Sequence, residues 1–463
     1  MSRNSLRSSM SASVPIWVVV ATVLFGTIIN PLDGSMTSQA LPSIASDLHT
    51  SGSLAMWTMS IYYLGSMASQ PVMGRIADMF GARRIFVGGL FIVFLCCALM
   101  LVAPNIVMVI ILRFVQSVGS AVAFPTGLSI VRQACLSQGE SSDRHIGTIT
   151  WVNSLAASVG PLFGGLLVAR WGWRGPSVLT LAAALSAVIA GLMVLPRDSA
   201  SGRDSKESLG DIDFTGIACF VLTLSAVEVA LTGGYGVPVT IGAVLLAVML
   251  GAAFVARELL SQTPFIDLRL LAARREVLVV FFVYALANLV FFSVLTGLPT
   301  WLQGIRGLTP FTSGVATFPI SIIGVIVTLI AGRFVYAQRQ RMVLAVALGS
   351  MFAGSALLAL SPTWIALPIV IVIAVMMASP NNISTMSLQT SLYKMIGSNE
   401  TGLYTGLFQT SRYLGASLAT MLTSLTVASV RLGASGLRVM GLVCALVAFV
   451  AMAMSRGIHT THS

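Results

Sequence analysis

Residues 74–84 read GRIADMFGARR. One acid, Asp78, stands among three arginines, Arg75, Arg83 and Arg84, and two glycines, Gly74 and Gly81, allow close backbone approach and a tight turn. On both sides the chain turns apolar, over 54–73 before the stretch and 84–103 after it. Each flank approaches the roughly 20 residues that carry a helix across a bilayer. The stretch therefore reads as a short basic turn between two membrane-length helices.

The pattern recurs along the chain. Its 463 residues are 56% hydrophobic and 9% charged, with a mean hydropathy of +0.92, whereas soluble domains carry about 25% charged residues. Fourteen spans are expected, the first at 15–42 and the last at 434–455. A polar stub with Arg3 and Arg7 leads into the first span with no small-residue cleavage site, so that helix is expected to be retained. With the N-terminus in the cytoplasm, 19 of the 26 Lys and Arg fall on cytoplasmic segments, five on the other side, and two, Arg113 and Arg412, inside spans. The bias follows the positive-inside rule and places both termini in the cytoplasm. The net charge of +11 is then topology rather than a nucleic-acid footprint, and no nucleic-acid partner is expected.

Catalytic chemistry has little to work with. Cys96, Cys97, Cys135, Cys219 and Cys444 lie in or at the ends of spans without metal-ligand spacing, and the four histidines are scattered. No phosphate loop or triad is present in the sequence. A non-enzyme without metal or cofactor is expected.

The longest polar segment, PRDSASGRDSKESLGDID at 196–213, is a solvated linker by composition. It divides the chain into a six-span bundle over 1–195, a linker with two additional spans (212–234 and 238–256) over 196–276, and a second six-span bundle with a short tail over 277–463. GRFVYAQRQR at 332–341 echoes 74–84 after the second span of the later bundle. Repeated halves with a site between them are the mark of many secondary transporters.

GRIADMFGARR resembles the loop signature between the second and third helices of the major facilitator superfamily. The resemblance implies that Gly74, Arg75, Asp78, Gly81, Arg83 and Arg84 form a conformational latch between the halves. PLDGSMTSQALPSIASDL (31–48), RFVQSVGSA (113–121), PFIDLRLL (264–271), WLQGIRGLTPFTSGVATFP (301–319) and GLYTGLFQTSRYLGAS (402–417) resemble motifs of its fourteen-span drug–proton antiporters, in the right order. NSLAASVGPLFGG (153–165) is similar to the fifth-helix motif associated with antiport. Physically, Gly160, Gly164 and Gly165 let a neighbouring helix approach closely, and Pro161 frees a carbonyl and is expected to bend the helix. Two departures stand out. WGWRGPSVLT (171–180) diverges after Arg174 from the usual continuation, and GRFVYAQRQR lacks the acid of the first loop.

Coupling to a proton needs a titratable group, and only Asp33 and Glu228 among the acids sit well inside spans. A charge at the bilayer centre costs at least about 2.5–3.5 kcal/mol, so function is the default reading. Asp33 lies about 18 residues, or ~27 Å, into the first helix, shortly after Pro31. Desolvation favours a neutral carboxyl and a nearby guanidinium favours a carboxylate, so alternation between the two can load and release a proton. Arg113 is the expected modulator, and a fixed Asp33–Arg113 structural pair is the alternative. Glu228 reads as a peripheral polar contact or a second protonation site. Gln116, Asn153, Gln409 and Arg412 are the candidate cavity residues, with Arg412 either a substrate partner or a helix anchor. The expectation is an all-α integral membrane protein of two six-helix bundles plus two additional helices, acting as a monomer in the cytoplasmic membrane. It would export small amphipathic compounds in exchange for protons. Transport of a specific metabolite, or a non-transporting receptor or scaffold of the same fold, are the alternatives.

Overall fold

The computed structural model describes residues 14–140, 142–196, 213–232, 237–261, 264, 269, 274–336, 340–362, 365–395, 401–428 and 432–457. The expected linker falls largely outside them. The described residues are helical throughout, with no strand among them. The chain opens with α1 (Ile16–Thr27), α2 (Ile29–Asp47), α3 (Gly52–Phe80) and α4 (Ala82–Met100). It continues with α5 (Ile106–Ala121), α6 (Ala123–Gln138), α7 (Asp143–Trp171) and α8 (Gly175–Val194). The hairpin α9 (Phe214–Thr232) and α10 (Val237–Leu260) follows. Then come α11 (Arg275–Gly304), α12 (Pro310–Tyr336), α13 (Gln340–Leu360), α14 (Leu367–Ala378), α15 (Asn381–Met395), α16 (Thr401–Leu425) and α17 (Gly436–Ser455).

The first expected span, 15–42, and two later membrane-length stretches, 105–131 and 363–389, each run as one rod whose helical hydrogen-bond ladder is interrupted once. The breaks fall at Ile28, at Val122 and between Ala378 and Asn381, just ahead of or at Pro31, Pro125 and Pro380. Proline lacks an N–H and crowds the carbonyl four residues earlier, so the ladder opens there. Pro161 behaves differently: α7 runs unbroken through it.

The stretch at 74–84 is also less of a loop than expected. Helix α3 continues to Phe80, and a single residue, Gly81 with φ 98°, separates it from α4. Only glycine adopts that backbone without strain. At the opposite end of the bundle Gly172 (φ 62°) plays the same part between α7 and the 3-10 turn Gly172–Arg174. The two ends of the molecule are named below by Gly81 and Trp173.

Ten stretches of the described residues are long and apolar enough to cross a membrane. Helices α3 and α16 fall short for a physical reason: they are enclosed by protein. They pack on each other, and the hydroxyls of Ser60 on α3 and Thr420 on α16 are hydrogen-bonded in the buried interface. Helices at the periphery show the reverse. Leu245, Val248 and Met249 on α10 and Leu442, Leu446 and Phe449 on α17 are exposed, an apolar surface far beyond what water tolerates. The α9–α10 hairpin touches the rest of the molecule mainly through α9, which contacts both α3 and α16, with Phe254 of α10 also against the core. Ile217, Phe220 and Leu224 of α9 pack there against the main core. Asp213 and Arg257 (3.2 Å) fasten the hairpin's open end.

Candidate functional site

The centre of the first eight helices holds a buried ion pair. Asp33 on α2 and Arg113 on α5 are 1% and 2% exposed, and Arg113 Nη1 lies 2.7 Å from Asp33 Oδ2. Thr180 of α8 donates to the other carboxylate oxygen at 3.1 Å, so both oxygens of Asp33 are engaged. The guanidinium also donates to Gln116 Oε1 at 3.0 Å and lies 4.6 Å from the centre of the Tyr62 ring. In a dry interior such a pair gains little net stability over apolar residues, but losing one partner strands the other charge at about 3–5 kcal/mol.

From Tyr62, whose ring faces Arg113, a chain of hydrogen bonds leads outward to the last helices. The Tyr62 hydroxyl bonds to Ser120 (3.0 Å), Asn30 donates to Ser120 (3.0 Å), and Tyr413 of α16 donates to Asn30 Oδ1 (3.2 Å). Asn30 lies in the first turn of α2, and its amide serves both partners.

The small-residue motif packs α7 tightly against α2 and, through Gly165, against the late helix α12. A Cβ at Gly160 would collide with Ser35, and one at Gly164 would stand 2.7 Å from the Met36 backbone. One at Gly165 would stand 2.5 Å from the Pro310 carbonyl oxygen of α12, and one at Gly314 would stand 2.5 Å from the Pro161 carbonyl. Toward the Trp173 end, Gln39 of α2 seals the same seam. It donates to Thr317 (3.1 Å) and accepts from Ser313 (3.0 Å), while Gln303 of α11 donates to its backbone carbonyl (3.1 Å).

The sequence-nominated residues thus fall into separate places. Asp33, Arg113 and Gln116 meet directly. Asn153 of α7 donates to Thr27 Oγ1 (3.1 Å) at the rod break, away from the pair. Gln409 and Arg412 lie half-buried on α16, across the molecule. The Arg412 guanidinium is 5.9 Å from the Phe292 ring and 6.0 Å from that of Tyr413. Of the expected latch, Arg83 donates to the Leu192 carbonyl (2.6 Å) and, more weakly, to Gly191. It thereby caps the C-terminus of α8 within its own bundle. Arg84 is exposed, whereas the side chains of Arg75 and Asp78 and the site of Gly74 lie outside the described residues, as does the side chain of Glu228. Sequence reasoning missed Asn30, Gln39, Tyr62, Ser120, Thr180 and Tyr413. A test for any polar residue inside a span, wider than the titratable one that nominated Asp33, would have found Asn30 and Gln39 in the same helix.

Comparison with known proteins agrees with this architecture. The profile of the Major Facilitator Superfamily matches residues 23–420. The chain is 30% identical to an uncharacterised MFS-type transporter, YwoD, of Bacillus subtilis, over 88% of this chain and 89% of that one. It is also 30% identical to the puromycin resistance protein pur8 of Streptomyces alboniger, over 74% and 67% respectively. It is 25% identical to the riboflavin transporter RibZ of Clostridioides difficile, over 80% and 81%. Among solved structures, a mutant of the nucleoside transporter NupG superposes with a TM-score of 0.64 at 10% identity, covering 96% of this chain and all of that one. Profile, relatives and architecture converge: the chain belongs to the Major Facilitator Superfamily of membrane transporters.

Proposed function

We propose that the protein is a proton-coupled antiporter that exports small amphipathic compounds, with fourteen spans, both termini cytoplasmic and the Trp173 end facing outward in the cytoplasmic membrane. The observation that carries this reading is the Asp33–Arg113 pair. A carboxylate and a guanidinium 2.7 Å apart and almost wholly buried have two protonation states with different helix contacts, which is what coupling requires. Resistance-protein relatives support export. In this frame the Gln39 network and the Gly165–Gly314 contact close the outer side, leaving exchange with the cytoplasm as the next step of the cycle. Protonation of Asp33 from outside and its release inside would then drive the rocking of the two sets of helices about the glycine seam. A second reading, transport of one specific metabolite, draws on the riboflavin-transporter relative.

The test is proton movement in reconstituted vesicles with a pH-sensitive dye inside and a panel of dyes, biocides and antibiotics outside. Compound-triggered proton flux that Asp33→Asn abolishes is the expected result. Flux that survives Asp33→Asn removes Asp33 as carrier, and no flux with any compound removes the drug-export reading.

A further inference from the structure

Two arginines stand in the middle of rods, and their surroundings are opposite. Arg113 has a carboxylate, an amide and an aromatic face. Arg412 has only aromatic faces, Phe292 and Tyr413, at about the distance limit for such contacts. Among the described residues it has no hydrogen-bond or ion-pair partner. Its five N–H donors are fixed in a planar fork suited to two oxygens of one carboxylate, sulfonate or phosphate group. One turn earlier Gln409, also half-buried, is without a hydrogen-bond partner among the described residues. On α3, Tyr63 is 2% exposed, and its hydroxyl has no hydrogen-bond partner. Its ring lies 6.3 Å from that of Tyr413 and 5.1 Å from that of Phe292, so it belongs to the same aromatic group that frames Arg412. A charge at this depth without compensation is costly, and its natural complement is a ligand.

We infer that Arg412, Gln409 and Tyr63, with the rings of Phe292 and Tyr413, form a binding site for the anionic group of an aromatic amphiphile. The substrates of this transporter are then planar or aromatic compounds bearing one acidic group rather than lipophilic cations. The inference rests on the transport reading above for its biological meaning, but not for its test. The charge balance of the interior supports it. Arg113 and Asp33 compensate each other, so Arg412 leaves one uncompensated positive charge among the described interior residues of the site, which a monoanion neutralises and a cation doubles. Proton exchange does not require the two ligands to compete for one charge. It requires only that a proton on Asp33 and an anion on Arg412 favour different conformations of the same seam.

Equilibrium binding to the full-length protein in detergent tests the site directly, with three probes on one xanthene body: anionic fluorescein, its methyl ether methyl ester, which has no ionisable group, and a cationic rhodamine ester. Fluorescein is expected to bind at least about tenfold more tightly than the rhodamine, the scale of one charge-assisted hydrogen bond. Arg412→Gln should erase that preference, and Arg412→Lys should keep part of it because it keeps the charge but not the fork. Tyr63→Phe, which removes only a hydroxyl, should weaken fluorescein several-fold and leave the rhodamine unchanged, and it serves if Arg412→Gln fails to fold. Equal or tighter binding of the rhodamine, no binding of fluorescein, or a preference that survives Arg412→Gln would each overturn the proposal. Vesicle flux of fluorescein separates the two readings: binding without flux would sink the exporter and leave the anion site standing.

Discussion

Adding one methyl group at Gly165 tests whether the contact between α7 and α12 controls the conformation of the whole protein. The Cβ of Gly165→Ala would stand 2.5 Å from the Pro310 carbonyl oxygen and 3.2 Å from the Cα atoms of Phe311 and Gly314. All three neighbours are backbone, so no side chain can swing away. Ordinary contact begins near 3.4 Å, and the helices must therefore part by about 1 Å. Overpacking of this kind costs roughly 1–3 kcal/mol, charged only to the conformation in which the seam is closed. That shifts the balance between closed and open states by about 5- to 150-fold. Spin labels at the exposed positions Val102, in the turn after α4, and Leu360, the last residue of α13, both at the Trp173 end, report the separation in a cysteine-free background. The labels are expected to move apart in Gly165→Ala and to stay in place in Gly349→Ala, where nothing lies within 4 Å. Adding Gly314→Ala should cost less than its effect alone, because the helices have already parted. Unchanged label distances in Gly165→Ala, with a correctly folded protein, would refute the argument.

Three further outcomes follow from other contacts. Asp33→Ala should destabilise the purified protein by about 3–5 kcal/mol by stranding Arg113, and Asp33→Ala with Arg113→Leu should recover most of the loss, as read by thermal unfolding. Gln39→Leu leaves the partners Thr317 and Ser313 without their bonds to it. It should open the Trp173 end by about 1–3 kcal/mol in the same label assay, where an unchanged distance would count against its sealing role. Gly172→Ala forces a Cβ onto a backbone at φ 62° and ψ −161°. It should lower stability by about 1–3 kcal/mol, whereas Gly88→Ala, with open space around it, should be neutral or better.

Much of this fold was legible in the sequence because membrane helices announce themselves by composition. Runs such as 84–103 and 434–455 had to be helical once they were apolar, since lipid offers no partner for an open backbone. Asp33 and Arg113 were legible for a related reason: in a solvent that penalises charge, two opposite charges inside spans find each other. Other residues carried no such mark. Thr180 reaches Asp33 across 147 positions of sequence, and a threonine in a helix more often bonds its own backbone, as Thr126 and Thr223 do here. Tyr413 was equally silent, because nothing in the sequence pairs its hydroxyl with Asn30, 383 positions away. The enclosed helices α3 and α16 were taken for ordinary spans because hydropathy cannot distinguish a wall of lipid from a wall of protein.

The α9–α10 hairpin has one consequence for how the molecule sits in its solvent. Helix α9 touches α3 and α16 together, and these belong to the two sets of helices that the proposed cycle moves against each other. A body fastened to both sides of a hinge cannot ride with either: when the two diverge, α9 must slip along at least one of them. Its companion α10 turns Leu245, Val248 and Met249 to the outside, where lipid chains must rearrange as the hairpin slips. The thickness and stiffness of the surrounding bilayer therefore enter the work of each cycle, and the speed of this transporter becomes a property of the membrane as well as of the protein.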